Sequence, residues 1–414
     1  MMLVLDIAFA HLRKRKRQTV VSILGVALGV GFFIAIAAMM QGFQQYFVKK
    51  IIDVSPHIVM KDEFRSAPQQ PVERLYGDGA VSLVGVKPRN EPRGIKDGQA
   101  TTAELARLPG VAAAPSLQGQ IFLRYGSRDV SATLIGIEPD LERRVTNIEG
   151  DLIAGRLDDL HSAANGIILG EGLADKVGAR RGDTLSVVSP AGVALKMKVV
   201  GVLRSGVTTV DNFIAYALLK KAQVLQDRPN VVNQIRLHLA DVETAQDLAR
   251  RIEARFGYRT EAWQETNQNV LGIFIIQNGI MYSTTGAILV VAAFGIFNII
   301  STVVLEKTRD IAILKSIGLE ERDIQAVFLL EGLLVGILGA MLGWGTGFGL
   351  TELLGTVRFE IEGFVKSQGF YLSYSLTHYL IAAGVAVAAA TFAAYLPARK
   401  AARLNPIAIL RGAA

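Results

Sequence analysis

Side chains able to carry out covalent chemistry are present in the sequence, but none stands at a working spacing. The five histidines, His11, His57, His161, His238 and His378, are scattered without the spacing of a metal site and read as surface or structural residues. Neither HExxH nor GxSxG occurs, which removes the zinc-protease and serine-hydrolase signatures. No GxxxxGKS or GxxxxGKT occurs either, so the chain is not expected to bind ATP through a phosphate loop. The chain has no cysteine, which rules out disulfides, thiolate metal sites and thiol nucleophiles. Acid pairs such as Asp158 and Asp159 lie in polar sequence and read as solvated charge. The expectation is a chain with no cofactor, no metal and no catalysis of its own.

One charged segment stands out for a different kind of work. "EKTRDIAILKSIGLEERD", Glu306 to Asp323, follows an uncharged run from Thr266 to Leu305 and precedes an apolar, glycine-studded stretch. On a helix, Ile311, Leu314 and Ile317 fall at i, i+3 and i+6, with Ile313 beside them. Arg309, Asp310 and Lys315 surround that edge, and Gly318 supplies a C-terminal stop. Such a helix either docks its apolar edge on a partner or lies on lipid at the interface. The spacing alone leaves both open.

The elements that would position this segment are membrane spans. The chain has 414 residues, is 50% hydrophobic and carries a net charge of +7. That composition suits a membrane protein with one sizeable water-exposed domain. A span needs about 20 apolar residues to cross roughly 30 Å of hydrocarbon. Four windows qualify: Thr19 to Met40, one within 266–305, about 327–350, and about 376–396. The first has a longer apolar core than a cleaved signal peptide and reads as a retained span. Lys/Arg placement sets orientation. "RKRKR" precedes the first span, Lys307, Arg309, Lys315 and Arg322 follow the second, and Arg399, Lys400, Arg403 and Arg411 follow the fourth. Both termini and 306–323 are therefore expected in the cytoplasm, and 49–265 outside. On this reading the net positive charge is a topology signal, and no nucleic-acid partner is expected.

The uncharged run 266–305 would measure about 60 Å as one helix at about 1.5 Å per residue, far more than the bilayer. It either protrudes, with Gln268, Asn269, Gln277 and Asn278 in its wet part, or breaks near Gly279. The first span also continues outward to Val48. Helices one and two are expected to rise above the membrane as a stalk. Small-xxx-small patterns at Gly25 and Gly29, at Gly339 and Gly343, and at Gly343 and Gly347 suggest close helix packing, within the chain or between copies. Glu331 is the one acid inside a span and is expected to snorkel or pair.

The expected fold class is four transmembrane helices with a large α+β extracytoplasmic domain inserted between helices 1 and 2. In order, the parts are a cytoplasmic N-terminus (1–18), helix 1 with its stalk (19–48), the external domain (49–265), stalk and helix 2 (266–305), and the charged segment (306–323). Helix 3 (327–350), a short outer loop (351–375), helix 4 (376–396) and a cytoplasmic tail (397–414) follow. In the external domain, 49–140 and 230–265 form a split subdomain around a β-rich insertion, 141–229. "SPHIVMK" reads as a strand, "TTAELARLPGV" as a helix capped by Thr101 or Thr102, and the runs around Gly126-Ser127 as a hairpin. "NQIRLHL", "DVETAQDLARRIEARFG" and "YRTEAW" read as strand, capped amphipathic helix and strand. "GIILGEGLADKVGARRGDTLSVVSP" reads as strand, short helix and strand. Residues 62–100 alternate Pro, Gly, Gln and charge, and read as a long, partly disordered loop with one short strand at Ala80–Val86.

"FGIFNIISTVVLEKTRDIAILKSIGLEERDI" resembles the second-span and coupling-helix signature of the four-span ABC permeases. That superfamily includes lipoprotein-releasing, macrolide-exporter and cell-division types. "GVALGVGFFIAIAAMMQGFQQ" with "SPHIVMKD", and "EAWQETNQNVL", are similar to the lipoprotein-releasing permeases in particular. "YLPARKAARLNPIAILRG" resembles the wider superfamily. The stretch 62–100 is longer than the family's pattern, so no contacts to a periplasmic partner carry over.

The resemblance implies an inner-membrane permease subunit that transmits the motion of a separate cytoplasmic ABC ATPase dimer, which uses ATP and Mg. Coupling would fall to Glu306, Arg309, Ile311, Leu314, Ile317, Gly318 and Leu319. It further implies pairing with a second copy or a paralogue, around an outward-facing cavity. By position Met39, Met40, Phe43, Ile273, Phe274 and Ile276 would face that cavity, or else pack within the stalk. The cargo implied is a lipoprotein or membrane lipid, passed to a periplasmic carrier. Two alternatives stay open. One is an efflux permease working with an adaptor and an outer-membrane channel. The other is a signalling permease that activates a cell-wall hydrolase.

Overall fold

The structure is a computed structural model that describes residues 2–62, 75, 94–358, 361–362, 366–367 and 369–410. The chain divides into two compact units: Met1–Tyr46 with Gly272–Glu360 and Gln368–Ala414, and Phe47–Leu271 with Ile361–Ser367.

The first unit is helical. Its elements are α1 (Met2–Lys14), α2 (Lys16–Val54), α3 (Gln268–Glu306), α4 (Thr308–Ser316), α5 (Glu321–Gly355), α6 (Leu376–Ala402) and α7 (Pro406–Leu410), with the last turns of α2 and the first turn of α3 belonging to the other unit. Four of these, α2, α3, α5 and α6, are long and apolar enough to cross a membrane. Each coincides with one of the apolar windows of the sequence. Helix α3 runs unbroken through Gly279, so the break does not occur. Lipid offers no hydrophobic drive between apolar helices, and close backbone approach has to do that work. Gly339, Gly343 and Gly347 on α5 meet Val26, Val30 and Ile34 on α2 so closely that an added Cβ would lie 2.6, 2.5 and 2.9 Å from the facing Cβ atoms. Two turns earlier, Gly332 and Gly336 of α5 lie as tightly against Ala394 and Ala390 of α6. Gly29 touches Ile288 and Leu289 of α3, whereas Gly25 faces open space, so within this chain Gly25 does not serve the packing expected of it.

The second unit is α+β. Ten strands, β1 (Ile58–Lys61), β2 (Val111–Tyr125), β3 (Arg128–Ile137), β4 (Leu152–Ala154), β5 (Gly166–Gly170), β6 (Thr184–Val188), β7 (Ala194–Leu203), β8 (Ile214–Leu218), β9 (Gln234–Leu239) and β10 (Arg259–Ala262), join in one sheet. Its order is β10-β1-β9-β2-β3-β8-β5-β7-β4, with β6 against β2 and β7. The 15-residue β2 is the hinge of this arrangement. Its first half, Val111–Ser116, pairs antiparallel with β9, and its second half pairs with β3 and β6. Gly126, at φ +62°, makes the turn between β2 and β3. The strands from 141–229 attach through the parallel pair β3–β8 and the antiparallel pair β2–β6. Helix Ala245–Phe256 follows an Asp241 side chain that accepts from the Glu243 amide and ends at Gly257, φ +72°.

The helix after the long loop starts earlier than its threonines suggest. It spans Gly98–Leu105, and Thr102 lies inside it, donating its hydroxyl to the Gly98 carbonyl 2.7 Å away, so neither Thr101 nor Thr102 is the cap. The expected strand Ala80–Val86 and most of the loop lie outside the described residues. Between α5 and α6, the stretch read as plain loop carries a short hairpin, Ile361–Glu362 with Lys366–Ser367.

Two buried polar groupings brace this unit. Arg236 of β9 and Glu142 form a buried ion pair at 2.8 Å, and the Thr146 hydroxyl donates to the same Glu142 oxygen. The rings of His57 and His238 lie against each other, tilted by 34° with centroids 4.1 Å apart, and His57 Nδ1 accepts from the Leu239 amide. Burial first, and then the neighbouring His238, lower the His57 pKa to about 4.

Candidate functional site

The charged segment folds as one short helix held from several sides. α3 ends at Glu306, and α4 begins two residues later. α4 closes on a Schellman motif. The Leu319 amide donates to the Leu314 carbonyl (3.2 Å), the Gly318 amide to the Lys315 carbonyl (3.2 Å), and Gly318 sits at φ +109°, a conformation that favours glycine. Glu320 then caps α5, with a reciprocal box to Asp323. The turn between α4 and α5 is thus fixed by backbone chemistry on both sides.

The apolar residues of α4 do not form one free edge. Ile311 is 2% exposed and Ala312 is fully buried in the core of the helical unit, while Leu314 and Leu319 pack half-buried against that core. Ile313, at 47%, and Ile317, at 71%, are the apolar side chains left in the open. The expectation that Ile311, Leu314 and Ile317 together make a docking edge is corrected accordingly: the helix rotates Ile311 inward because the unit's own core needs it. The available patch is Ile313 and Ile317, with the exposed Arg309 nearby in sequence. Asp310 stays well below the usual carboxylate range because Lys307 donates to it at 2.5 Å.

Glu306 is already engaged: Arg15, at the junction of α1 and α2, forms an ion pair with it. One turn further on, His11 Nδ1 lies 2.6 Å from Glu331 Oε1. His11, Arg15 and Glu331 border a cavity of about 30 Å³ with Gln18, Thr19, Ser22 and Ile300, room for a single water. Glu331 pairs rather than snorkels. His11 was not legible as its partner, because 320 residues separate the two.

The six residues expected around a cargo cavity take different positions. Phe43 and Phe274 meet edge to face, with centroids 6.2 Å apart, and Gln44 Nε2 donates to Asn278 Oδ1 nearby, so α2 and α3 touch at this level as well as at Gly29. Met39 is half-buried, and Met40 packs against the unit's core. Ile273 and Ile276 are exposed. An apolar cavity of about 130 Å³ lies elsewhere, lined by Val30, Phe33, Tyr282, Leu289, Ile381 and Val385 between α2, α3 and α6. Among the described residues no group of three or more His, Asp or Glu side chains could hold a metal.

Comparison with known proteins agrees with this architecture. Residues 19–255 match the family described as MacB-like periplasmic core domain, and residues 282–406 match the FtsX-like permease C-terminal. The chain is 28% identical to the lipoprotein-releasing system transmembrane protein LolC of Neisseria meningitidis, over 98% of both chains. It is equally similar, at 28% and 98% of both, to LolC of Xylella fastidiosa. The macrolide export ATP-binding/permease protein MacB of Hyphomonas neptunium is 25% identical over 97% of this chain but only 60% of its own length. By its two family matches, the first of which spans more than half of the chain, the chain belongs to the MacB-like periplasmic core domain family of ABC-type permeases, with an FtsX-like permease C-terminal.

Proposed function

We propose that the chain is the permease subunit of an ATP-driven transporter of the lipoprotein-releasing type. The observation that carries this reading is end-to-end similarity to LolC proteins, 98% of both chains, by a sequence that has no phosphate loop of its own. ATP and Mg are used by a separate cytoplasmic ATPase dimer. That ATPase docks on the α4 patch, with Ile313, Ile317 and Arg309 in contact, while Ile311, Leu314, Gly318 and Leu319 hold the patch in shape. Glu306 acts through Arg15. Both termini and α4 face the cytoplasm, and the α+β unit, inserted between α2 and α3, faces the periplasm. The 39-residue helices α2 and α3 overshoot the bilayer as a stalk and pass motion from α4 to that unit. A second copy or a paralogue completes the transporter. Met39, Met40, Phe43, Ile273, Phe274 and Ile276 contribute to an outward cavity for acyl chains, where flexible and aromatic side chains suit such cargo. The cargo is a lipoprotein or lipid of the outer leaflet, handed to a periplasmic carrier.

An efflux role beside an adaptor is the second reading, favoured by the MacB-like family match. One experiment separates the two. The chain is purified in mild detergent from cells expressing its neighbouring ATPase genes, and retained molecules are identified by mass spectrometry. Co-purification of an ATPase with acylated protein is the expected result. Absence of any ATPase would sink the proposal, and retention of small apolar compounds with an adaptor would favour efflux.

A further inference from the structure

We infer that Lys315 is a positioning residue: it fastens the last turn of α4 to the inner end of α6, so that motion delivered to α4 reaches α6 as well as α3. The inference rests on the permease reading above.

The last carbonyls of a helix have no partner within it and carry the negative end of the helix dipole. At the end of α6 these groups meet a lysine from another helix. Lys315 Nζ donates to the Ala402 carbonyl at 2.7 Å and to the Leu404 carbonyl at 2.9 Å, and lies 3.4 Å from the Glu321 carboxylate at the start of α5. An ammonium has three donors, and here three acceptors surround it, from the last residue of α6, the linker just after it and the first turn of α5. Its side chain is only 12% exposed. Ile311, Ala312, Ala398, Ala401 and Ala402 are buried in the same core, so water competes little for these bonds. Just beyond, Asn405 Oδ1 accepts from the Ile407 amide at the start of α7, which packs on α4. α4 is therefore continuous with α3 at one end and with α5 at the other, and Lys315 adds a side-chain tie to the end of α6. α6 in turn is locked to α5 by the Gly332–Ala394 and Gly336–Ala390 contacts. A lysine that merely stabilised the fold would satisfy the same carbonyls, so the test must read coupling and not only stability.

The test uses the full chain in proteoliposomes with its ATPase partner and an acylated model lipoprotein. Lys315→Met keeps the apolar stem and removes the donors. The expected result is ATPase association and ATP hydrolysis within about twofold of wild type, lipoprotein released per ATP lower by about tenfold, and faster amide exchange over 399–410. Lys315→Arg, which restores donors, should recover at least half of the lost coupling. In the otherwise cysteine-free chain, a short bismaleimide between Lys315→Cys and Leu404→Cys should restore coupling where the uncrosslinked pair lacks it. Wild-type release per ATP in Lys315→Met, or unchanged exchange over 399–410, overturns the inference with the permease reading intact. Failure of the wild-type chain to bind any ATPase overturns the permease reading and the coupling claim with it, while the exchange comparison still decides whether the tie exists.

Discussion

A charge placed at Ile317 and one placed at Leu314 should have different consequences, although the two residues lie a turn apart. Ile317 is open to its surroundings, so Ile317→Asp should leave insertion and thermal stability unchanged. At a docked surface, however, an unpaired carboxylate costs about 2–4 kcal/mol, and ATPase affinity should drop by about 30-fold or more. Pull-down with the ATPase and a detergent melt check both arms. Leu314 packs against the unit's own core, and Leu314→Asp should instead lower stability by about 2–3 kcal/mol before any docking is affected. His57 sets a pH dependence. Its folded pKa is lowered from 6.5 to about 4, so the unfolded chain takes up the proton first as pH falls. The stability it contributes is complete above about pH 6.5 and is lost as pH drops through about 4, amounting to about 3 kcal/mol. Denaturant unfolding of wild type and His57→Asn between pH 7 and 4 reads this directly. Asn can still accept from the Leu239 amide, so the variant should show a flatter pH profile.

Among elements, α5 is the one with least room. Gly343→Val would drive side-chain atoms into Val30, where even a Cβ lies 2.5 Å from the facing Cβ. Overpacking of this kind costs about 1–3 kcal/mol, and the detergent melting temperature should fall. Gly25→Ala, which meets open space, should leave the melt unchanged. If that same variant disrupts pairing of two copies, measured by light scattering, Gly25 serves an interface rather than the chain's own packing. In the α+β unit, Arg236→Met should cost about 3–5 kcal/mol by stranding the Glu142 carboxylate, while the double variant Arg236→Met with Glu142→Gln should recover most of it. Circular dichroism melts of the three chains would separate these outcomes.

For the molecule as a whole, orientation is the property on which the functional reading turns. A chain without cysteine permits single-site labelling. Ser127→Cys, in the β2–β3 turn, should react with an impermeant maleimide in intact spheroplasts. Ser316→Cys, at the end of α4, should react only after permeabilisation. The reverse pattern would place α4 on the wrong side for an ATPase and remove the basis for coupling.

Spans, most strands and the helix ends at glycine were readable because they are local: hydropathy over about 20 residues fixes a span, and alternation with Gly126 or Gly257 fixes a turn or an end, whereas the threonines at 101 and 102 did not mark the start of their helix. The glycine pattern at Gly339, Gly343 and Gly347 announced a packing face, but its partners Val26, Val30 and Ile34 lie 313 positions away and appear only when the helices are assembled. The same holds for His11 with Glu331 and for Lys315 with the end of α6. The hydrophobic spacing of α4 identified an apolar helix, yet spacing cannot say which apolar residue turns toward the protein. The core took Ile311 and left Ile317, because which side of a helix is buried depends on the neighbours it meets, and those are contributed by distant parts of the chain.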